Sequence, residues 1–421
     1  MVAMTGLTDL SHRYHLGTFA LATEPIWRNF ADGMRIQSDG LTFTLLLGAL
    51  AGLPALSIDM SLPAMPQLQV EFAASPATVA LSLSYFMLGF GASQVLIGPL
   101  SDRAGRRPVL LVALALYALG GLACRFAPSV GALLAGRAMQ GAGAAGGTVL
   151  AFAIIRDLFD GDAARARLST VSLVFSLAPV IAPALGGMLL ESAGWRAIFL
   201  FQTATGVALL LAVAAGLGES RRPGPTAPYL AILRQGRSLA FSAVGALNLG
   251  NVFCFVSGAP LVLLDSFHLS TAAFSGVFAL VTGGVIGGAA LNRLSVRRGW
   301  HAAWPLGLGL GGAAIGGLAG TALGLGGALG VIALVPVFLL TTLSRGLVSP
   351  NVTHAALERV PRMAGAAAAL VGCSQMLTGA LAGFIVGQMY DWYGPVGLML
   401  TMAGFAVAAL ACWIWVELNY R

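Results

Sequence analysis

The sequence contains no lysine; all 23 basic side chains are arginine. That absence removes every chemistry that needs an amine, including the phosphate-binding lysine of a P-loop and Schiff-base catalysis, and it excludes a P-loop ATPase. Charge of either sign is scarce. Charged residues make up 9% of the 421-residue chain and apolar residues 57%, where an ordinary soluble domain carries about 25% and roughly 45–50%. So few charges cannot cover so much apolar surface in water, and the chain is expected to be integral to a membrane. The four cysteines, Cys124, Cys254, Cys373 and Cys412, each stand alone in an apolar stretch, with no CxxC pair and no nearby histidine. They read as small buried hydrophobes, not as a disulfide framework or a metal site, and no cofactor is expected. The net charge of +7 does not point to nucleic acid, because the arginines form small clusters between apolar runs without aromatic interleaving.

What is present is length of apolar run. A hydrocarbon core of about 30 Å takes roughly 20 residues of helix. Cutting the chain wherever charge, proline or turn residues interrupt such runs leaves twelve, near 41–62, 78–100, 108–126, 129–155, 167–190, 195–217, 238–264, 272–294, 302–322, 328–352, 363–388 and 394–416. The runs are rich in Ala, Leu and Gly and lack the period-2 alternation of a barrel, so the expected fold class is an all-α membrane protein of twelve transmembrane helices. These are called spans 1 to 12 below.

Fifteen arginines fall at the even-numbered connections: 103, 106, 107, 156, 165, 167, 221, 222, 234, 237, 293, 297, 298, 359 and 362. The odd-numbered side has only Arg125 and Arg196. This asymmetry places the even loops and both termini in the cytoplasm. Residues 1–40 are polar, mixed in charge and without the apolar core of a signal peptide, so they read as a cytoplasmic tail; a start at Met34 would shorten it. The longest polar connection, 218–237, with Pro223, Pro225 and Pro228, divides the spans six and six. The expected domains are therefore 1–40, a six-helix bundle over 41–217, a linker over 218–237 and a second bundle over 238–421. Asn292-Arg293 after span 8 echoes Asp102-Arg103 after span 2. Two six-span pseudo-repeats in one orientation imply a binding site between them near the midplane, a complete pathway in one copy, and hence a monomer.

Four stretches carry the chemistry. The loop Gly98-Pro-Leu-Ser-Asp102-Arg103-Ala-Gly105-Arg106-Arg107-Pro108 combines a small residue for close helix approach with an acid able to pair with nearby arginines and to face the positive end of a helix of the other half. Span 4 contains Arg137-Ala-Met-Gln140-Gly141-Ala-Gly143, a charge inside an apolar helix, which costs at least about 2.5 kcal/mol unless a partner or polar cavity is present. Span 5 reads Ala178-Pro179-Val-Ile-Ala182-Pro183-Ala-Leu-Gly186-Gly187, whose prolines remove helical hydrogen bonds and bend the segment. Span 1 ends on Ser57-Ile58-Asp59-Met60, and Asp59 is the one carboxylate placed well inside a span of the first half.

The 98–108 loop closely resembles the loop 2–3 signature of the major facilitator superfamily, and the span-4 and span-5 runs resemble the proton-coupling and antiporter motifs of its drug:proton exporters. With Gly194-Trp195-Arg196 at the start of span 6 and Gly346 to Thr353 in span 10, the chain from residue 41 onward looks like the Bcr/CflA drug-resistance branch, which includes bicyclomycin and chloramphenicol-type exporters. The resemblance implies a bacterial inner-membrane antiporter that exports small amphipathic drug-like compounds against protons by alternating access. A carboxyl desolvated inside a span can load and release a proton, so Asp59 is read as the proton-coupling acid; the resemblance implies that Arg137 takes part in coupling, that Gly98, Asp102, Arg103, Gly105, Arg106 and Arg107 form a conformational latch, and that Pro179, Pro183, Gly186 and Gly187 form a hinge. Counted from Leu41, Asp59 falls about 27 Å along a helix, close to the far end of its span.

Tyr85, Phe86, Gln140, Asn248, Asn251, Phe255, Arg345, Ser374, Gln375 and Met376 are the polar or adaptable groups available to line a cavity in otherwise aliphatic helices. Competing readings are a nutrient or metabolite symporter of the same fold, a membrane enzyme, and a ligand sensor. The span-5 motif favours export over symport. No HExxH or GxSG motif supports an enzyme, and a 40-residue polar tail is too short for a signalling domain.

Overall fold

The computed structural model describes residues 36, 40–220, 232, 234–358 and 364–420. The expectations that fall on Arg13, Arg28, Arg35, Arg221, Arg222, Arg359, Arg362, the three prolines of the 218–237 connection and most of the 1–40 tail lie outside the described residues.

Among the described residues twelve helices are long and apolar enough to cross a membrane. Span 1 covers Leu41–Phe72, span 2 Pro76–Ala104, span 3 Arg106–Arg125, span 4 Val130–Leu158, span 5 Gly161–Ala193 and span 6 Trp195–Gly216. The second half contributes span 7 Gly236–Ser266, span 8 Thr271–Arg297, span 9 Ala303–Leu325, span 10 Val331–Leu357, span 11 Ala364–Tyr393 and span 12 Pro395–Asn419. Spans 1–6 pack mainly among themselves, as do spans 7–12, and the halves meet where span 2 lies on span 11 and span 5 on span 8. All helix ends bearing the loops with Arg103, Arg106, Arg156, Arg237 and Arg297 lie on one face, here the arginine-rich face; Arg125 and Arg196 lie on the other.

Local chemistry sets the helix ends. Ser75, Ser129 and Ser270 cap spans 2, 4 and 8 on the arginine-poor face, each hydroxyl accepting the backbone N–H three residues on at 3.2–3.3 Å. Span 1 is longer than its apolar run suggests. An α-helix ends at Asp59, a 3-10 turn follows over Leu62–Ala64, and a second helix runs Met65–Phe72. Pro63 and Pro66 do not stop the chain there, because each occupies a first-turn position where its missing N–H has no partner to lose. Span 5 is likewise one continuous helix through Pro179 and Pro183.

In a membrane, helices associate through close packing of small residues. Spans 2 and 4 meet backbone to backbone: a Cβ on Gly141 would run into the Phe86 carbonyl, and one on Gly89 into that of Ala138. This is the physical content of the small residues that follow Arg137 and Gln140. Of the four cysteines, Cys124 and Cys254 are buried as expected, whereas Cys373 and Cys412 are only partly so.

Candidate functional site

Between the two halves lies a cavity of about 230 Å³. Spans 1, 2 and 5 supply one wall, including Asp59, Phe86 and Pro179; spans 7, 8, 10 and 11 supply the other, including Phe255, Arg345 and Met376. Six phenylalanines make the lining aromatic and apolar: 86, 90, 175, 253, 255 and 278. Phe175 and Ile286, near the middle of spans 5 and 8, line it and are 40% and 50% exposed, so the space is not sealed between these two helices. Toward the arginine-poor face it is shut. There Gly186 is pressed against the carbonyl of Met60, and Gly187 lies so close to Thr271 of span 8 that a Cβ would come 2.7 Å from its methyl carbon. The paired glycines of span 5 thus close the floor of the cavity one residue beyond Asp59.

Asp59 is 5% exposed and lines this cavity with no hydrogen-bond or ion-pair partner among the described residues. Its depth differs from the expectation of a span ending near residue 62. Because the helix resumes and continues to Phe72, Asp59 is interior to a 32-residue span.

Arg137 is fully buried but faces away from the cavity. Its Nη1 donates to the Ser57 carbonyl at 3.2 Å and to Gln140 Oε1 at 2.7 Å, and the guanidinium stacks 4.6 Å from the Phe86 ring centre. Gln140 Nε2 passes the chain to Gln202 Oε1 at 2.8 Å, Gln202 Nε2 returns to the Ser57 carbonyl at 3.3 Å, and the Ser57 and Tyr117 hydroxyls are 2.7 Å apart. Nε and Nη2 of Arg137 remain buried without partners. The arginine therefore reaches Asp59 only through the span-1 backbone two residues earlier. Tyr117 and Gln202 escaped the sequence reading; the available signal was a lone polar group in each of two apolar helices.

Of the residues expected to line the cavity, Phe86, Phe255, Arg345 and Met376 do so. Tyr85 is 39% exposed and not on the lining, because its neighbour Phe86 takes the inward face of the helix. Gln140 is consumed by the Arg137 network, and Asn248 donates to Ser344 Oγ at 2.8 Å within the second half. Asn251 is buried with neither amide atom paired, off the lining. Gln375 acts through Arg345, accepting its Nη2 at 3.2 Å, and Ser374 bonds back to the Val371 carbonyl at 2.8 Å.

The 98–108 loop is tied into the first half. Asp102 pairs with Arg106, whose Nε also reaches Asp157 at the end of span 4 at 2.8 Å. Gly105 has φ of +101°, and the side chain it lacks leaves room for Glu219, whose carboxylate accepts the N–H groups of Arg106 at 2.8 Å and Arg107 at 3.2 Å at the start of span 3. Glu219 was not singled out from the sequence; it lies in the polar connection, remote in the chain. Arg107 caps the Ala214 carbonyl of span 6 at 2.7 Å, while Ser101 bonds the Gly98 carbonyl at 2.9 Å. Arg103 is exposed. At the echo in the second half, Asn351 of span 10 donates to Asn292 at 2.7 Å, a neutral link where the first half uses charge.

Comparison with known proteins agrees with this architecture. The family model described as Major Facilitator Superfamily matches residues 47–383. The chain is 32% identical over 385 residues to the uncharacterized MFS-type transporter YdgK of Bacillus subtilis, covering 86% of this chain and 92% of that one. It is 29% identical to the bicyclomycin resistance protein homolog of Haemophilus influenzae, over 90% and 96% of the two chains. A shorter match, 57% of this chain and 63% of the relative at 30% identity, is to the multidrug resistance protein MdtL of Escherichia coli. Among solved structures, an inward-facing bacterial homolog of the human lysosomal transporter Spinster superposes with a TM-score of 0.71 at 18% identity, over 90% and 97% of the chains. A D-xylose-proton symporter gives 0.70 at 16% identity, over 89% and 98%. Twelve spans in two halves, a cavity between them and a family match over most of the chain lead to one conclusion: this protein is a membrane transporter of the major facilitator superfamily.

Proposed function

We propose that the protein is a proton-coupled exporter of small amphipathic, drug-like compounds in the bacterial inner membrane, working by alternating access as a single copy. The observation that carries this reading is Asp59, a buried carboxyl without a partner on the wall of an aromatic cavity. Withdrawn from water, it can take a proton when the cavity faces outward and give it up when substrate displaces it inward. The span-5 glycines that seal the floor beside it are the part of the structure that must part for the cavity to open on the other face. The relatives named for multidrug and bicyclomycin resistance support export over symport. The arginine bias supports the arginine-rich face, with both termini, as cytoplasmic, and residues 218–237 as the linker between bundles. The test is proton release from detergent-solubilised protein on adding a panel of drugs: release accompanying binding supports the reading, and binding without release by any drug removes it.

Helix register supports the latch reading. Spans 2 and 11 run antiparallel, with Ala77 against Gly387, Met87 against Gly379 and Gln94 against Gly372. Continued two turns beyond Gln94, the same register would bring Asp102 level with Ala364, where span 11 begins among the described residues and where its carboxylate could meet the positive end of the other half. Asp102→Asn is expected to abolish transport while substrate binding persists, measured as efflux and equilibrium binding on the same preparation. Arg137 is read as a positioning residue for Asp59. Arg137→Ala is expected to lower coupled efflux about tenfold, the loss of one charge-assisted buried hydrogen bond, with normal protein levels in the membrane. Loss of the protein would make the role of Arg137 purely structural.

A further inference from the structure

Two ionisable side chains face the cavity, one from each half: Asp59 on span 1 and Arg345 on span 10. No ion pair joins them. Among the described residues Arg345 has a single partner, Gln375, through Nη2, and its Nη1 is buried with none. Arg137, the other intramembrane arginine, is committed to Ser57 and Gln140 and does not reach the cavity. The rest of the lining is aromatic and aliphatic apart from the hydroxyls of Ser176, Thr282 and Thr342, each of which donates to a backbone carbonyl, and on the Asp59 side Pro179 also leaves the Phe175 carbonyl without its helical N–H donor. The cavity is thus mainly apolar, with an acceptor contributed by one half and a charged donor by the other.

A charge in such a slot is favourable only where its counter-charge meets it, and an unmatched buried charge is strongly penalised. A cation bound at Asp59 leaves Arg345 unanswered. An anion bound at Arg345 leaves Asp59 in the same position. A molecule with both ends answers both, and in doing so ties the two halves to each other across the space that must close around it. At about 230 Å³ the slot falls below the roughly 300–1,000 Å³ typical of drug-sized sites, which favours a compact body.

We propose that this cavity selects compact zwitterions with an apolar, preferably aromatic, body, the ammonium end on Asp59 and the carboxylate end on Arg345. The inference rests on the exporter reading of the same cavity. It is tested with three probes on one scaffold: 4-(aminomethyl)benzoic acid as the zwitterion, its methyl ester as the cation and its N-acetyl derivative as the anion. Binding to the purified full chain is measured by calorimetry. The zwitterion is expected to bind at least about tenfold tighter than either singly charged probe, as one extra charge-assisted bond provides. Arg345→Gln should bring the zwitterion down to the level of the ester, and Arg345→Lys, which restores the charge, should keep the preference. The proposal is overturned if the ester binds as tightly as the zwitterion, if none of the probes binds, or if folded Arg345→Gln protein retains the preference. Failure of the exporter reading is separately visible: a zwitterion that binds selectively but releases no proton, and crosses proteoliposomes without proton counterflow, refutes export and leaves the selectivity standing.

Discussion

In everted membrane vesicles, Asp59→Asn is expected to reduce proton-gradient-driven efflux to the background of vesicles without the protein, while a neutral ligand still binds. The amide keeps the shape of the carboxyl and removes its only titratable proton. No other acid lies on the cavity wall to replace it. The fold has little to lose, because among the described residues Asp59 makes no hydrogen bond or ion pair that the substitution would break, and a change in stability below about 1 kcal/mol is expected. The variant therefore separates coupling from folding, and the same vesicles can be checked for protein level. Normal gradient-driven efflux from Asp59→Asn would eliminate span 1 as the site of proton exchange.

The second large effect is structural. Gly141→Val is expected to prevent accumulation of folded protein, with Gly141→Ala lowering the thermal midpoint in detergent. A Cβ on Gly141 would collide with the Phe86 carbonyl, and a backbone atom cannot rotate out of the way as a side-chain end can. The reciprocal contact of Gly89 with the Ala138 carbonyl locks both helices at that distance, so spans 2 and 4 would have to separate along their length. Overpacking a core costs about 1–3 kcal/mol where neighbours can shift, and more is expected here. Separation would also pull Phe86 off the cavity wall and off the Arg137 guanidinium. Native stability of Gly141→Val would show that the two helices are not held at this spacing.

These two variants show different routes from sequence to site. Gly141 belongs to a run whose small residues can be read directly, because close helix approach depends on side-chain size and spacing along one helix. Asp59 could be picked out as an intramembrane acid, but its depth could not, because two prolines look like the end of a helix until both are seen at first-turn positions. Tyr85 and Phe86 illustrate a further limit. Adjacent residues on a helix point about 100° apart, and only packing decides which of the two faces inward.

The sequence alone determined the membrane setting, the twelve spans, the arginine asymmetry and the motifs that mark the family, since each depends on composition or on spacing within a few turns. Tertiary structure decided the rest. It set Arg137 behind the cavity in a network with Tyr117 and Gln202, brought Glu219 to the start of span 3 across more than a hundred residues of chain, and put Arg345 and Asp59 on the wall of one cavity. Those placements depend on which helix faces meet. In an apolar helix every face is hydrophobic enough to be buried, so the pattern along the chain carries little record of which one is.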